Sequence, residues 1–415
     1  MAMNILMNSS AIKTCRLCGS PSIESILDLG DQPPANSLRS DLKEELEKIP
    51  LIVSRCNNCT TVQLTETVEP ELLFRNYVWV TGTSNTTLEY SKKFYDNIEK
   101  RCDNKSLFVV EIASNDGTFL QQFRINSHRV LGVDPAENLA AVAEKAGIPT
   151  LPEFFGSQIA KKILDTHGPA DVVIARNVLP HVPDPNDVIR GIAQCLTDTG
   201  LGAIEFHWTD KILSELHYDS IYHEHYFFHS LNSINKLLEL HNLCLFDVSE
   251  SPISGGSLVA YFSKSPKKPT SELNNFMNLE LQHGLAALET WQDFARRALE
   301  HRIQLRDLIK QEINSGRKVI GYGASARSST LLNFCGIDRT YITCIADQNP
   351  RKHGKYTPGT DILVVDPLKA MAENPGTILI LAWNFKEEII NWLKASGFQG
   401  NIILPLPNHP QLIKI

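Results

Sequence analysis

The chain has no apolar run approaching the ~18–20 residues that a membrane-spanning helix requires. Its longest, near Thr377–Trp383, has the length of one strand. Met1–Lys13 lacks the apolar centre of a secretory leader. A cytoplasmic protein with mostly reduced cysteines is the expectation, with no membrane partner. There is also no excess of basic residues: 40 Lys and Arg stand against 47 Asp and Glu, a net charge of −7. That argues against nucleic acid as the main partner, because phosphate binding needs a basic face. What is present is ordinary for a globular protein, with 42% apolar and 21% charged residues. A length of 415 residues suggests two or three domains and leaves monomer and dimer equally open.

Cys15-Arg-Leu-Cys18 and Cys56-Asn-Asn-Cys59 are two cysteine knuckles. They can place four thiolates around one zinc ion at Zn–S distances of ~2.3 Å. The gap between them exceeds the usual zinc-ribbon spacing, so Asp31–Asn36 and a charged Leu42–Lys48 stretch read as an inserted loop and a short helix. Four cysteine ligands leave no open position, which favours a structural metal. Redox or incidental cysteines are the competing reading. Cys102, Cys195, Cys244, Cys335 and Cys344 occur singly in apolar surroundings, as small core residues do.

From Ser106 onward, apolar strand-like runs alternate with helical segments. Leu107–Ile112 runs into the small-residue turn Ala113-Ser-Asn-Asp-Gly117. Arg129–Val133 ends at Asp134, Asp171–Ala175 at Arg176-Asn177, and Leu201–Phe206 follows Gly200. This order predicts an α/β, doubly wound parallel sheet with its ligand at the carboxyl ends of the strands. Glu111 closes the first strand, and the turn, with Ala113, Asn115 and Gly117, lets backbone approach a ligand. Asp134 can accept hydrogen bonds from both ribose hydroxyls. NAD is the obvious competitor, but the first turn lacks G-x-G-x-x-G, and S-adenosylmethionine needs no phosphate cradle. Leu243–Val248 and Ser257–Ser263 are expected as an antiparallel edge.

Beyond the fourth strand lies Tyr222-His223-Glu224-His225, with acid–base capacity enough to take a proton from carbon. A solvated turn and a metal site are the alternatives. Placed on a strand, His223 and His225 would point opposite ways, which disfavours one metal shared by both.

Thr270–Ser315 is strongly helical, with Leu281, Leu285, Leu288, Trp291 and Phe294 recurring at three and four residues. Then Lys318–Ala326 reads as strand, turn and helix, and Gly321-x-Gly323-x-x-Ala326 is followed by Asp347 at the end of an expected strand Tyr341–Ala346. Alone this suggests a dinucleotide-dependent oxidoreductase. The same amides can hold another diphosphate. Gly323 and Ala324 would supply the close approach and Arg327 a charge, with Asn384 and Glu388 at the same strand ends.

Taken together, these segments resemble the three-part sugar C-methyltransferases that act on nucleotide-linked deoxysugars, such as the mycarose and tetronitrose C-3 methyltransferases. The likeness runs from Cys15 to Pro407. It rests on the cysteine pairs, Glu111–Gly117 and Tyr222–His225, supported by Asn177–Asp184, Gly321–Ala326 and Leu381–Phe385. It implies a zinc-binding domain over 1–75, a methyl-donor domain over 76–265, and a helical connector with a Rossmann-like, nucleotide-sugar-binding domain over 266–415. It implies S-adenosylmethionine and zinc as cofactors, and a nucleotide-linked (expected thymidine-type) 4-keto-deoxysugar as substrate. His225 would be the base that forms an enolate, with Tyr222 and Glu224 positioning it and stabilising that enolate. Tyr77 would reach in from the zinc-domain side, and Asn177 and His181 would border the donor. Phe228, Arg327 and Ser325 depart from the family's tyrosine, lysine and proline. An NAD(P)-dependent oxidoreductase or epimerase-like enzyme is the second reading, and a non-catalytic zinc scaffold the third. His223 has no role in either the chemistry or the resemblance.

Overall fold

The computed structural model describes residues 9–75, 77, 79–83, 85–102 and 106–415, apart from the side chain of Leu72. The cysteine head is a four-stranded antiparallel sheet of Ile23–Gln32, Ile49–Cys56, Val62–Leu64 and, from far along the chain, Phe227–Phe228. Phe228 therefore lies in this sheet, opposite Val62. The Leu42–Lys48 stretch forms no helix. The Arg39 guanidinium takes the carbonyls of Leu42 and Glu44, at 3.3 and 2.6 Å, that a first helical turn would have used.

The central sheet has seven strands in the order Cys244–Ser251, Ser257–Ser263, Leu196–His207, Ala170–Arg176, Phe108–Ile112, Arg129–Val133, Thr150–Leu151. Side-chain alternation explains how it is covered on both faces. Phe108, Val110 and Ile112 enter one core with the helices Ser157–His167, Pro185–Cys195 and Leu231–Glu239. Leu107 and Val109 enter another with Asn85–Glu99 and Thr118–Ile125. The expected antiparallel edge forms, with Ser257–Ser263 as the strand that runs against the sheet. It pairs antiparallel with strands on both sides, so Cys244–Ser251 runs with the parallel core. The short connection through Pro252–Gly256 turns the chain back between them.

The third sheet orders Val364–Val365, Ile345–Ala346, Val319–Tyr322, Thr377–Ile380, Asn401–Leu404 and an antiparallel Gln411–Lys414. Its second strand is two residues long where the sequence suggested six. The helical stretch before it is two helices, Ser271–Gln282 and Leu288–Asn314, interrupted near Gly284 at φ +63°. The interruption takes Leu281 off the expected stripe, leaving it 79% exposed, while Trp291 and Phe294 are buried. One apolar core joins the head, the long helix and the third sheet. No helix among the described residues is long and apolar enough to cross a membrane.

Candidate active site and zinc centre

The sulfurs of Cys15, Cys18, Cys56 and Cys59 all lie within 4.8 Å of one another, with Cys15–Cys59 and Cys18–Cys56 each at 3.6 Å. A tetrahedron with bonds of ~2.3 Å has edges of about 3.8 Å, so four thiolates so spaced fit one zinc ion. All nine cysteines are free of disulfides, and Cys195, Cys335 and Cys344 are buried as expected.

A cavity of about 520 Å³ opens where Phe108–Ile112, Arg129–Val133 and Ala170–Arg176 end. Ala113, Asn115, Asp134, Asn177, His181 and Tyr77 are among the residues lining it. Ala113, Asn115 and Asn177 hold left-handed φ of 53°, 55° and 52°. Such conformations cost on the order of 1–3 kcal/mol each and concentrate where a ligand is held. Asp134 fixes the turn, its Oδ2 accepting from the Asn115 amide at 2.7 Å and its Oδ1 from the Ala136 amide at 2.8 Å. Each oxygen keeps a lone pair for a ribose hydroxyl. Burial raises its pKa against those two amides.

Glu111 lies beneath the cavity at 1% exposure. Burial pushes its carboxyl up to about 8, opposed by Arg176, and Oε2 has no hydrogen-bond partner among the described residues. Gly117 is absent from the lining. It stands at φ +79°, and an added Cβ would lie 2.8 Å from Ile148, so its backbone conformation and close packing on Ile148 account for this glycine. Sequence reasoning missed Arg176, which lines the cavity with its guanidinium carbon 3.1 Å from the Phe119 ring centroid. Its Nε lies 2.7 Å from Glu205 Oε2, close enough for charge pairing, although the two are not aligned for a hydrogen bond. An arginine closing an apolar strand was the available signal.

A strap crosses this turn. Thr81 and Gly82 donate their amides to Asn115 Oδ1 and Asp116 Oδ2, at 2.9 and 2.8 Å. Asn138 holds the Tyr77 backbone through two hydrogen bonds, at 3.2 and 2.9 Å. The Tyr77 phenol is thereby brought near Glu224 and Asp134; burial first, then those charges, raise its pKa.

Tyr222–His225 forms a tight turn, not a strand. Tyr222 Oη and His225 Nε2 are 2.8 Å apart, and His225 Nδ1 is 2.8 Å from the Ser220 carbonyl. A carbonyl only accepts, so Nδ1 carries the proton and Nε2 accepts from the phenol. Burial first, then His181 and Arg327, hold the His225 pKa well below its usual value, keeping it neutral near pH 7. Burial pushes Glu224 up to about 7, opposed by Asn36, whose Nδ2 donates to Oε1 at 2.6 Å.

The two histidines do diverge, but through turn geometry. His223 is buried and donates from Nε2 to the Ile49 carbonyl at 3.1 Å. His181 Nδ1 donates to the Glu224 carbonyl at 2.7 Å, and its ring meets His225 edge-on with centroids 4.7 Å apart. The turn is thus fastened to the head by His223 and to the cofactor cavity by His181. Asn36 escaped notice because it looked like part of an insertion.

The third sheet departs most from expectation. Arg327 donates from Nε and Nη2 to Asp219 at 3.0 and 2.8 Å, and lies 4.8 Å from the Trp383 ring centroid. Asp219 is 1% exposed, and an unpaired charge there would be expensive, so its carboxylate claims the guanidinium expected for a diphosphate. The Ala324 amide donates to Asp347 Oδ2 at 2.8 Å. Gly323 has φ +100°, and an added Cβ would lie 2.4 Å from that of Ala382. Close packing of turn on turn therefore explains Gly323. Asn384 and Glu388 are exposed.

Three family models match in succession: "Putative zinc binding domain" over residues 15–74, "Methyltransferase domain" over 88–247 and "C-methyltransferase C-terminal domain" over 252–407. The chain is 33% identical over 410 residues to C-methyltransferase NovU of Streptomyces niveus, across 97% of each protein. Among solved structures it is similar to magnesium protoporphyrin IX methyltransferase of Synechocystis PCC 6803, at 14% identity, 43% of this chain, 80% of that one and a TM-score of 0.34. It is also similar to a methyltransferase of Clostridium acetobutylicum, at 12% identity, 43% and 92% coverage and a TM-score of 0.35. The cofactors are S-adenosylmethionine and zinc, the latter on the four-cysteine cluster. The chain belongs to the three-domain, S-adenosylmethionine-dependent C-methyltransferases with a zinc-binding head.

Proposed function

We propose that this C-methyltransferase acts on the carbon next to the ketone, C-3, of a nucleotide-linked 4-keto-deoxysugar, in deoxysugar biosynthesis. The observation that carries this reading is the neutral His225 imidazole, its tautomer fixed by the Ser220 carbonyl, beside the phenol of Tyr222. Only a carbon acidified by an adjacent carbonyl falls within reach of such a base.

In the reaction, Tyr222 yields the Nε2 lone pair to the substrate and turns its hydroxyl toward the ketone oxygen. His225 takes the proton as the C–H bond breaks, and that electron pair moves into the enolate. Tyr222 and the acid form of Glu224 donate to the developing oxygen anion. S-adenosylmethionine, when bound, supplies the methyl group that the enolate carbon takes up and leaves as S-adenosylhomocysteine. Asp134, Asn115, Ala113 and Asn177 hold the donor. His181, between the cavity and His225, keeps donor and base in register, a proximity effect. Glu111 and Gly117 support the donor turn from below.

The sugar's nucleotide lies toward the third sheet, near Gly323, Ala324 and Asn384, with Arg327 ordering the boundary through Asp219. The test is incubation of candidate nucleotide-linked 4-keto-deoxysugars with enzyme and S-adenosylmethionine, followed by mass spectrometry. One added methyl group on carbon is expected. Methyl transfer by His225→Gln at the wild-type rate would remove the base assignment.

A further inference from the structure

The head supplies more than a metal site. Its segment Pro33–Arg39 is fastened to the third domain: Arg39 and Tyr356 exchange backbone hydrogen bonds at 3.0 and 2.8 Å, and the Arg39 guanidinium pairs with Asp361. Pro33, Pro34 and Ala35 are buried. The next residue, Asn36, is exposed, yet it reaches Glu224, 188 positions later, in the central domain's catalytic turn. The head and the central domain therefore meet in one side-chain hydrogen bond, carried by a segment that the third domain holds.

We propose that Asn36 is a positioning residue for Glu224: by engaging Oε1 it leaves Oε2 as the oxygen that meets the substrate. This rests on the reading in which Glu224 takes part in the reaction. The geometry leaves little else to orient the carboxyl. Asn36 makes its one side-chain hydrogen bond among the described residues, and His181 binds the Glu224 backbone. Among the described residues, the titratable groups around Glu224 are the phenols of Tyr77, Tyr222 and Tyr226, raised by burial, and the imidazoles of His181 and His225, lowered by burial, so that all are neutral near pH 7. None of them carries a charge that would fix the carboxylate. The amide donation is thus the main influence opposing burial, which has carried Glu224 to about 7.

The consequence is a readout that general structural damage would not produce. Losing a charge-assisted hydrogen bond raises a carboxyl's midpoint by about one to two pH units. The experiment is an infrared titration of the full-length enzyme, following the protonated carboxyl band that disappears in Glu224→Gln. In Asn36→Ala the midpoint should rise, and the falling alkaline limb of kcat should move up with it while KM changes less. Asn36→Ser, with a shorter donor, should fall between, and it replaces the alanine variant if that one fails to fold. An unmoved midpoint in a folded Asn36→Ala or Asn36→Ser would overturn the proposal. A raised midpoint with an unmoved kcat limb would leave the Asn36–Glu224 coupling standing and overturn the role of Glu224 instead.

Discussion

The central sheet and the third sheet use the same device to opposite ends. In each, the acid after the second core strand accepts the amide of the turn after the first: Asn115 to Asp134 at 2.7 Å, and Ala324 to Asp347 at 2.8 Å. In the central sheet that acid has no basic partner among the described residues, the turn is held in left-handed conformations, and a cavity of about 520 Å³ stands open above it. In the third sheet, Lys352 bonds both Asp347, at 3.2 Å, and the Ala324 carbonyl, at 2.7 Å. Ala382 crowds Gly323 as well. In one turn the acid is left free above strained backbone, and in the other the acid is neutralised by its own lysine. A glycine-rich turn followed by an acid therefore does not by itself identify a cofactor site; what neutralises the acid decides.

The largest expected effect separates the chemistry of the central domain from the supporting third domain. His225→Gln should lower kcat by roughly 10²–10⁴-fold while S-adenosylmethionine still binds, measured by methyl transfer and calorimetry. Arg327→Gln should act on stability instead. It leaves the buried Asp219 without its charged partner, with the Trp383 indole still donating to it at 2.8 Å, at a cost of about 3–5 kcal/mol, read as a lower denaturation midpoint. If Arg327→Gln chiefly raised KM for the nucleotide sugar and left the midpoint alone, the arginine would be a substrate ligand after all.

The paired acids give the sharpest contrast in binding. Asp134→Asn should weaken S-adenosylmethionine by about tenfold to a hundredfold, as lost charge-assisted hydrogen bonds of about 1.5–3 kcal/mol imply. Asp347→Asn should leave that affinity unchanged. Equal losses would erase the distinction between the sheets.

A further effect is on pH. His181 is held near 4 and His229 near 3, each by burial, and burial also lowers His207, His217, His223 and His225. The unfolded chain binds protons at these histidines below about 6.5 and the folded chain does not. Stability should therefore fall as pH drops from 6.5 toward 3–4, in denaturation curves at fixed ionic strength. Glu111 and Glu224, raised to about 8 and 7, have the opposite sign and erode stability as pH rises from 4.5 to those values.

How much of this could be read from residue order depends on range. Phe108–Ile112, Arg129–Val133 and Ser257–Ser263 are buried throughout apart from Arg129, and the sequence places them within a residue of their ends. The two-residue strands Thr150–Leu151 and Ile345–Ala346 are too short to show any period. The cysteine spacing sufficed for the zinc centre. At the active site, Tyr222 and His225 stand close enough in sequence to be seen together. Asn36 with Glu224 and Arg327 with Asp219 are separated by 188 and 108 positions, and only the packing of domains reveals them. The same holds for His223, whose partner Ile49 belongs to the head.

The central claim is that a proton leaves carbon before methyl arrives there. The most direct test uses a nucleotide-linked 4-keto-deoxysugar carrying deuterium at C-3, with mass spectrometry of the product. The account predicts one methyl gained and that deuterium lost. A methylated product that retains the deuterium would place the methyl group elsewhere and contradict it.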